Sequence, residues 1–241
     1  MLTRPREQAV SLEKKLSQLG ACSLSFPCIE ISPITGVKTP IPLSATNIII
    51  FISPNAVNYG FAAIPELLRP PGPDIKFAAI GQATAQALSA RGITEITTPG
   101  GQFDSEGLLE TDLFQDVENL SVMVIKGEGG RRHLQDKLIE RGANTYTVDV
   151  YRRTLPANPD INAVSAPVDL ILFASSQAAE NLCSILPAQA LANLLNCQTI
   201  VGHPKIGQKV ASLGFKKLPI IAGSPMEDDF LLAISEWASG R

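Results

Sequence analysis

The stretch "VMVIKGEGGRRHLQDKLIERG", Val122 to Gly142, decides how the chain is read. Val122 to Ile125 form an apolar run of the kind that makes a buried strand. Lys126 ends the run, and Gly127, Gly129 and Gly130 let the backbone turn sharply. A helical pattern follows, with Leu134 and Leu138 on one stripe and Gly142 at its end, where a left-handed C-cap favours glycine. The turn aims backbone N–H groups outward beside Lys126 and Arg131, a combination that suits an anion.

The same pattern occurs a second time. Shifted by 122 positions, the sequence matches itself. Leu12, Leu16, Gly20 and Ala21 fall on Leu134, Leu138, Gly142 and Ala143, and Arg4 falls on Lys126. Phe51, Ser53 and Ala56 fall on Phe173, Ser175 and Ala178, Gly92 on Gly214, and Leu109 on Leu231. So long a period describes two copies of a domain-sized unit, not a solenoid. Within each copy, Val- and Ile-rich runs read as strands: "LSFPCIEI", "IIIFIS", "KFAAIG" and "EITTP", then "VMVIKG", "TYTVDVY", "DLILFAS", "QTIVGH" and "LPIIA". Helical stretches such as "PREQAVSLEKKLSQLG", with Pro5 at its first position and a Leu12, Leu16, Leu19 stripe, lie between many of them. This alternation predicts an α/β fold with two doubly wound parallel-sheet lobes.

The joins indicate how the lobes are cut. "SPITGVKTPIPLSA" and "LPANPDINAVSAP" are proline-rich and extended, whereas "LFQDVENL" is short. A contiguous lobe over 47–152 is therefore expected, with a discontinuous first lobe from 1–33 and 168–241. Segments 34–46 and 153–167 are the expected linkers, the alternative being two sequential halves.

In open parallel sheets, ligands bind beyond the carboxyl ends of the strands. The rim so defined holds Thr3 and Arg4, Ser53 to Asn55, Gly81 to Thr84, Pro99 to Ser105, Lys126 to Arg131, Tyr151, Ser175 to Gln177, and Gly202 to Lys205. Two such rims facing each other would make a polar cleft of hydroxyls, amides, N–H groups and a few cations. Each arginine has the alternative of being simply solvated. Tyr151 ends a strand beside a domain crossing, where its phenol either reaches the cleft or packs as a hinge aromatic. His203 also lies at a strand end, where a loop role competes with a ligand role. Asp104, Glu106 and Glu110 sit where acids suit the start of a helix.

Several chemistries are excluded by the sequence. Net charge is −3, with 45% hydrophobic and 18% charged residues, so neither a strongly basic nucleic-acid binder nor a disordered acidic chain is indicated. "MLTRPREQAV" has no apolar h-region, and the longest apolar run, Ile48 to Ile52, is far too short to cross a membrane, so a cytoplasmic chain is expected. Cys22, Cys28, Cys183 and Cys197 show no metal-binding spacing and read as small core residues, and no metal site is expected. The glycine turn is not a P-loop, because no GK[ST] ends it. It is not GxGxxG either, because Arg132 stands where the third glycine belongs. No GxSxG, HExxH or Cys–His pair suggests a nucleophile. An anion-binding transport module and a sugar- or nucleotide-transfer enzyme remain as alternatives, the first without an export signal and the second without a nucleotide fingerprint.

Taken together, "LTRP", "FISPNAV", "AAIGQATAQALSARG", "DSEGLLE", "GEGGRRHLQDKLIERGA", "VYRRT" and "FASSQAAENL" resemble the uroporphyrinogen-III synthase family nearly end to end. The resemblance implies two α/β lobes joined by a two-stranded connection, with the first lobe discontinuous. It implies a cofactor-free lyase that cyclises hydroxymethylbilane, a linear tetrapyrrole, with loss of water and inversion of the terminal ring through a spiro intermediate. Tyr151 corresponds to the family's candidate for assisting hydroxyl departure. Ser53, Thr84 and Ser175 correspond to hydroxyl residues at strand ends. The expected substrate-binding set is Arg4, Ser53, Thr84, Lys126, Gly127, Arg131, Ser175, Ser176, His203 and Lys205. Where some members carry threonines, this chain has "VGHPKIGQ", so a threonine contact there would be replaced by the charge of Lys205. A monomer is expected, with at most a transient contact to the preceding enzyme of the pathway. A carboxylate-rich substrate fits a rim of donors and cations, and a reaction prone to go astray unaided fits catalysis by positioning.

Overall fold

The computed structural model describes residues 1–68, 74–101, 104–130, 132–224 and 226–240. The chain divides into two compact units. The first is discontinuous, Met1–Ile31 with Thr154–Arg241, and the second is the contiguous stretch Ser32–Arg153. Segment 34–46 groups with the second unit and segment 154–167 with the first.

The path starts in the first unit with α1 (Arg6–Gln18) and enters β1 (Glu30–Pro33). Pro5 stands just before α1, and Ala9, Leu12 and Leu16 form its buried stripe. Leu19 lies outside that stripe and is 64% exposed, because the helix has ended there and Gly20, at φ 77°, turns the chain away. The predicted strand "LSFPCIEI" is broken: Leu24 to Phe26 bonds to Leu2 by backbone, and β1 begins only at Glu30. Pro27 has no N–H with which to continue a ladder.

The second unit contains β2 (Ile48–Phe51), α2 (Pro54–Ala63), β3 (Lys76–Ala79), α3 (Gln82–Ser89), β4 (Ile96–Thr97), α4 (Ser105–Leu109), β5 (Ser121–Gly127), α5 (His133–Glu140) and β6 (Asn144–Thr154). Its sheet runs β6-β5-β2-β3-β4, all parallel, and β1 lies beside β6 at one edge. The chain passes between the units within β1 and at the end of β6. On one face, Leu108 and Leu109 of α4 and Leu134 and Leu138 of α5 pack on Ile48, Ile50, Val122 and Val124. On the other, Phe61 of α2 stacks on Phe51 at 5.9 Å, and Gly60 lies close against Ile125 and Phe51.

The chain returns to the first unit with β7 (Leu170–Phe173), α6 (Ser176–Ile185), α7 (Ala188–Leu194), β8 (Gln198–Val201), α8 (Pro204–Ser212), β9 (Ile220–Ile221) and α9 (Glu227–Ser239). Strands β7, β8 and β9 are parallel, and Leu2 bridges both Leu172 and Ser25. The row is therefore Ser25, Leu2, β7, β8, β9, matching β6-β5-β2-β3-β4 of the second unit. One face carries α1 and α9 on Leu2, Leu172 and Ile200; the other carries α6 and α8 on Ile171, Phe173 and Val201. Burying one such Leu or Phe side chain is worth about 1.5–3 kcal/mol.

The repeat appears in the elements as well. β2 and β7, α2 and α6, and β3 and β8 each start 122 residues apart (170 − 48, 176 − 54 and 198 − 76). Gly20 and Gly142 have φ 77° and 84°, and Gly92 and Gly214 have φ 87° and 95°. Each pair ends a helix in the left-handed region, where a side chain would be strained. Among the described residues, no helix is long and apolar enough to cross a membrane.

Candidate active site

In the second unit the chain leaves β5 through α5 to β6 on one side, and leaves β2 through α2 to β3 on the other. The carboxyl ends of β5 and β2 therefore flank the topological switch point, where open α/β sheets bind their ligands. Ser53 follows β2, and Lys126 and Gly127 end β5.

Tyr151 is brought to this point by an irregularity in β6. Lys126 pairs with Asp149, but Gly127 pairs with Tyr151, which leaves Val150 as an extra residue. Strict alternation would put Asp149 and Tyr151 on the same face. The bulge re-aims the tyrosine, so Val150 and Tyr151 are buried in succession, Tyr151 to 3% exposure. Its ring lies across Gly127: a Cβ on that glycine would stand 2.5 Å from the ring Cζ and 2.9 Å from the hydroxyl. The Glu128 N–H donates to the Tyr151 carbonyl at 2.8 Å. Gly127 is thus needed for the close approach of a side chain, and its own φ is ordinary.

Among the described residues, the phenol oxygen has two polar neighbours. Ser53 Oγ is 3.1 Å away, and Arg153 Nη2 donates to it at 3.3 Å. The Arg153 guanidinium lies 5.6 Å from the Tyr151 ring centre, and Tyr59 of α2 tilts against that ring at 5.7 Å. Ser53 Oγ also accepts the Ala56 N–H at 3.1 Å, so Ser53 is at once the N-cap of α2 and the neighbour of the phenol.

Lys126 is placed differently from the expectation of a rim cation facing a ligand. Its ammonium bonds Asp149 at 3.3 Å and the Gly129 carbonyl, so its charge is already matched. The parallel register that pairs residues 126 and 149 brings the acid there. Thr84 departs as well. It is a buried residue in the first turn of α3, past the Gly81 cap, and not a hydroxyl at the strand end. Arg131, and Gln102 and Phe103 of the expected rim, lie outside the described residues.

The matching point of the first unit carries other groups. Thr3 is buried and donates to the Leu172 carbonyl at 2.6 Å. Arg4 lies over the Phe230 ring at 4.9 Å. Burial pulls its guanidinium below the usual arginine range, against the attraction of Glu227. Ser175 caps α6, accepting the Ala178 N–H at 3.2 Å, and Ser176 is the first residue of that helix. His203 caps α8, its Nδ1 accepting the Lys205 N–H at 3.1 Å, and the Lys205 side chain is exposed.

The structure therefore brings together Ser53, Gly127 and Tyr151, with Lys126 engaged beside them. Arg4, Ser175, Ser176, His203 and Lys205 belong to the other unit. Three residues of the second-unit site were missed in the sequence reading: Arg153, Tyr59 and Asp149. Arg153 had a signal, a second cation two residues after the tyrosine. Tyr59 and Asp149 had none, because their places depend on helix packing and strand register. Among the described residues, no three His, Cys, Asp or Glu side chains gather as a metal-ligand set.

The family model described as uroporphyrinogen-III synthase HemD matches residues 10–228. Uroporphyrinogen-III synthase of Escherichia coli K12 is 26% identical over 233 residues, covering 91% of this chain and 93% of that protein. The protein of the same name from Salmonella typhimurium LT2 is 25% identical with the same coverage. Among solved structures, uroporphyrinogen-III synthetase of Helicobacter pylori aligns with TM-score 0.59 and 18% identity over 86% of this chain and 90% of that one. A mutant uroporphyrinogen III synthase of Thermus thermophilus aligns with TM-score 0.57 and 17% identity over 98% of each chain. At such identity the structural likeness concerns the fold alone.

Proposed function

The chain belongs to the uroporphyrinogen-III synthase family, and we propose that it acts as a lyase on hydroxymethylbilane, closing this linear tetrapyrrole to uroporphyrinogen III with loss of water. The observation that carries the mechanism is the Tyr151 hydroxyl, held 3.1 Å from Ser53 at the switch point of the second unit. Departure of the terminal hydroxyl leaves an azafulvenium-like cation, and a proton given to the departing oxygen lowers that barrier. A phenol within reach of the rim is the group suited to give it. The far ring then attacks through its substituted carbon, and fragmentation of the spiro intermediate inverts that ring.

Recognition of the substrate's carboxylates falls to donors and cations. The N-terminus of α2 supplies donors in the second unit, beside Ser53. Arg4, and Ser175 and Ser176 at the start of α6, supply a cation and donors in the first. Lys126 contributes less than an unmatched cation would, because Asp149 already holds it.

The test is an isomer assay. Protein incubated with fresh hydroxymethylbilane should give mostly the type III porphyrin after oxidation. The type I isomer at the level of a protein-free control would overturn the reading. Tyr151→Phe should lower kcat at least about tenfold, about 1.4 kcal/mol in the barrier, within the range of positioned acid catalysis. Its residual product should remain type III. A stable variant with normal kcat would remove the phenol from the reaction.

A further inference from the structure

Tyr151, which the chemistry needs as an acid, is 3% exposed, whereas Ser53 is only half-buried. The hydrogen bonds around the pair say how a buried phenol could serve a ligand it scarcely meets. The Arg153 guanidinium can only donate, and it donates to the phenol oxygen. The Ala56 N–H can only donate, and it donates to Ser53 Oγ. Between these two donors sit two hydroxyl oxygens, 3.1 Å apart, carrying two protons. The contact between the oxygens uses one proton, so the other must point out of the chain. If Tyr151 donates to Ser53, the outward proton is the serine's; if Ser53 donates to Tyr151, it is the phenol's. Interconversion needs only two hydroxyl rotations and no movement of heavy atoms.

We propose that Ser53 is the donor that touches the departing hydroxyl, that Tyr151 is the acid behind it, and that Arg153 is a positioning residue acting on the phenol oxygen. This rests on the reading of the chain as a tetrapyrrole-cyclising synthase. As the substrate's C–O bond breaks, the leaving oxygen takes the outward proton from Ser53 and departs as water. Ser53 takes the phenol proton in the same movement. The positive charge remains on the pyrrole-methylene group and the negative charge on the phenol oxygen, since a phenol is far more acidic than an alcohol. The substituted carbon that attacks first has no hydrogen to lose, so the proton returns only at the final closure. The spiro intermediate breaks to leave a second methylene cation, and the free α-carbon of the inverted ring bonds to it. The hydrogen that this carbon then loses restores both the ring's aromaticity and the phenol, so atoms and charges balance. The 3.3 Å contact from Arg153 is weak while the phenol is neutral and becomes charge-assisted as the anion forms. An interaction that strengthens toward the transition state acts on kcat more than on KM.

The experiment is a double-mutant cycle in kcat and KM. It uses Ser53→Ala, Ser53→Thr, Arg153→Met and Tyr151→Phe in the full chain, with thermal unfolding alongside. Ser53→Ala should lower kcat by about the same factor as Tyr151→Phe, and Ser53→Thr, which keeps the hydroxyl and can cap the helix, should restore most of it. Arg153→Met should lower kcat several-fold with KM changed less than about twofold. Neither Ser53→Ala nor Arg153→Met should cost much more once Tyr151→Phe is present. Additive losses, a Ser53→Thr variant no better than Ser53→Ala, or a rise in KM alone for Arg153→Met would overturn the relay; the last would make Arg153 a ligand for a substrate carboxylate. Wild-type protein forming the type III isomer throughout keeps the functional reading separate, because that reading fails only if the wild type gives type I.

Discussion

At equivalent points of its two units the chain keeps the same frame and changes the chemistry. Ser53 and Ser175, 122 residues apart, cap α2 and α6 through the same bond to the N–H three residues on. Leu2 bridges Ser25 as Val124 pairs with Thr147, at the same offset. Beyond the strand ends the copies diverge. Where the second unit has Gly127 under a tyrosine, the first has Pro5; where the second has Tyr151, the first has the buried Ile29. Where the second has Lys126 locked to Asp149, the first has Arg4 over Phe230. A repeated scaffold thus carries a hydroxyl relay in one copy and a desolvated cation in the other. The cap serine survives in both because the helix needs it; the phenol appears only where a glycine makes room.

The comparison is most sharply tested by separating the units. The second is contiguous and has its own two-faced core, whereas the first needs both ends of the chain. A fragment spanning residues 32–153 should unfold cooperatively in urea. A fragment of residues 1–120, which cuts across both units, should show no such transition. The reverse result would mean that each half of the sequence folds alone.

Next in size is Gly127→Ala. The new methyl would lie 2.5 Å from the Tyr151 ring, inside any tolerable contact, so the ring must move off the end of β5 and away from Ser53. Turnover should fall at least as far as in Tyr151→Phe, about tenfold or more. The control Gly129→Ala has open space for the methyl, but its φ of 73° adds backbone strain, so it should cost stability more than kcat. Equal kcat losses in the two variants would mean that the turn matters for its shape and not for the room it gives Tyr151.

Gly142 was legible as a helix end because a left-handed cap is a local demand on one residue. Ser53 and Ser175 were legible because the repeat aligned them next to strand ends. Tyr151 was legible as a rim residue, but the Val150 bulge that turns its side chain was not, since nothing local in "TVDVYRRT" marks where a ladder slips. The pairing of Lys126 with Asp149 was hidden for the same reason: it is a product of register between strands whose residues lie 23 positions apart. Thr84 was read as a rim hydroxyl because it follows a strand end, yet its burial is fixed by how α3 seats on the sheet. Local conformational demands could be read from the sequence; which partner a side chain meets could not.

The two cap serines offer a smaller and more symmetrical test. Each satisfies one orphan N–H at a helix start, and replacing such a cap with Ala costs about 1 kcal/mol. Ser53→Ala and Ser175→Ala should therefore lower stability by similar amounts in denaturant titrations. Their kinetics should differ, with a kcat loss at least about fivefold greater for Ser53→Ala. Matching kcat losses would show that the first-unit serine acts in the chemical step as well as in capping and recognition, and the two copies would then not differ in their chemistry.

The smallest effect near neutral pH, and one confined to a single unit, concerns the thiols. Cys22, Cys28, Cys183 and Cys197 all lie in the first unit, as does the sole tryptophan, Trp237. The second unit holds the three tyrosines and no cysteine. Burial pushes the Cys28 thiol up to about 12 from its ordinary 9, with Cys183 adding in the same direction. Burial also raises Cys183 and Cys197. A thiol whose folded value lies above its unfolded one favours the fold fully below pH 9. That contribution is lost as pH rises from 9 toward 12, because only the unfolded chain can ionise it freely. Denaturation followed by Trp237 emission should thus be insensitive to thiol ionisation at pH 7 to 8. It should weaken above about pH 9, and the slope should be reduced in Cys28→Ala, whose cavity lowers stability at every pH alike. Exposed Cys22 should react with a thiol reagent in the native protein, while Cys28 should react only on opening of the first unit. If Cys28→Ala keeps the full alkaline slope, that slope comes from groups other than this thiol. Prompt labelling of Cys28 in the native protein would mean that the first-unit core opens far more readily than its packing against Phe26, Phe173 and Leu182 implies.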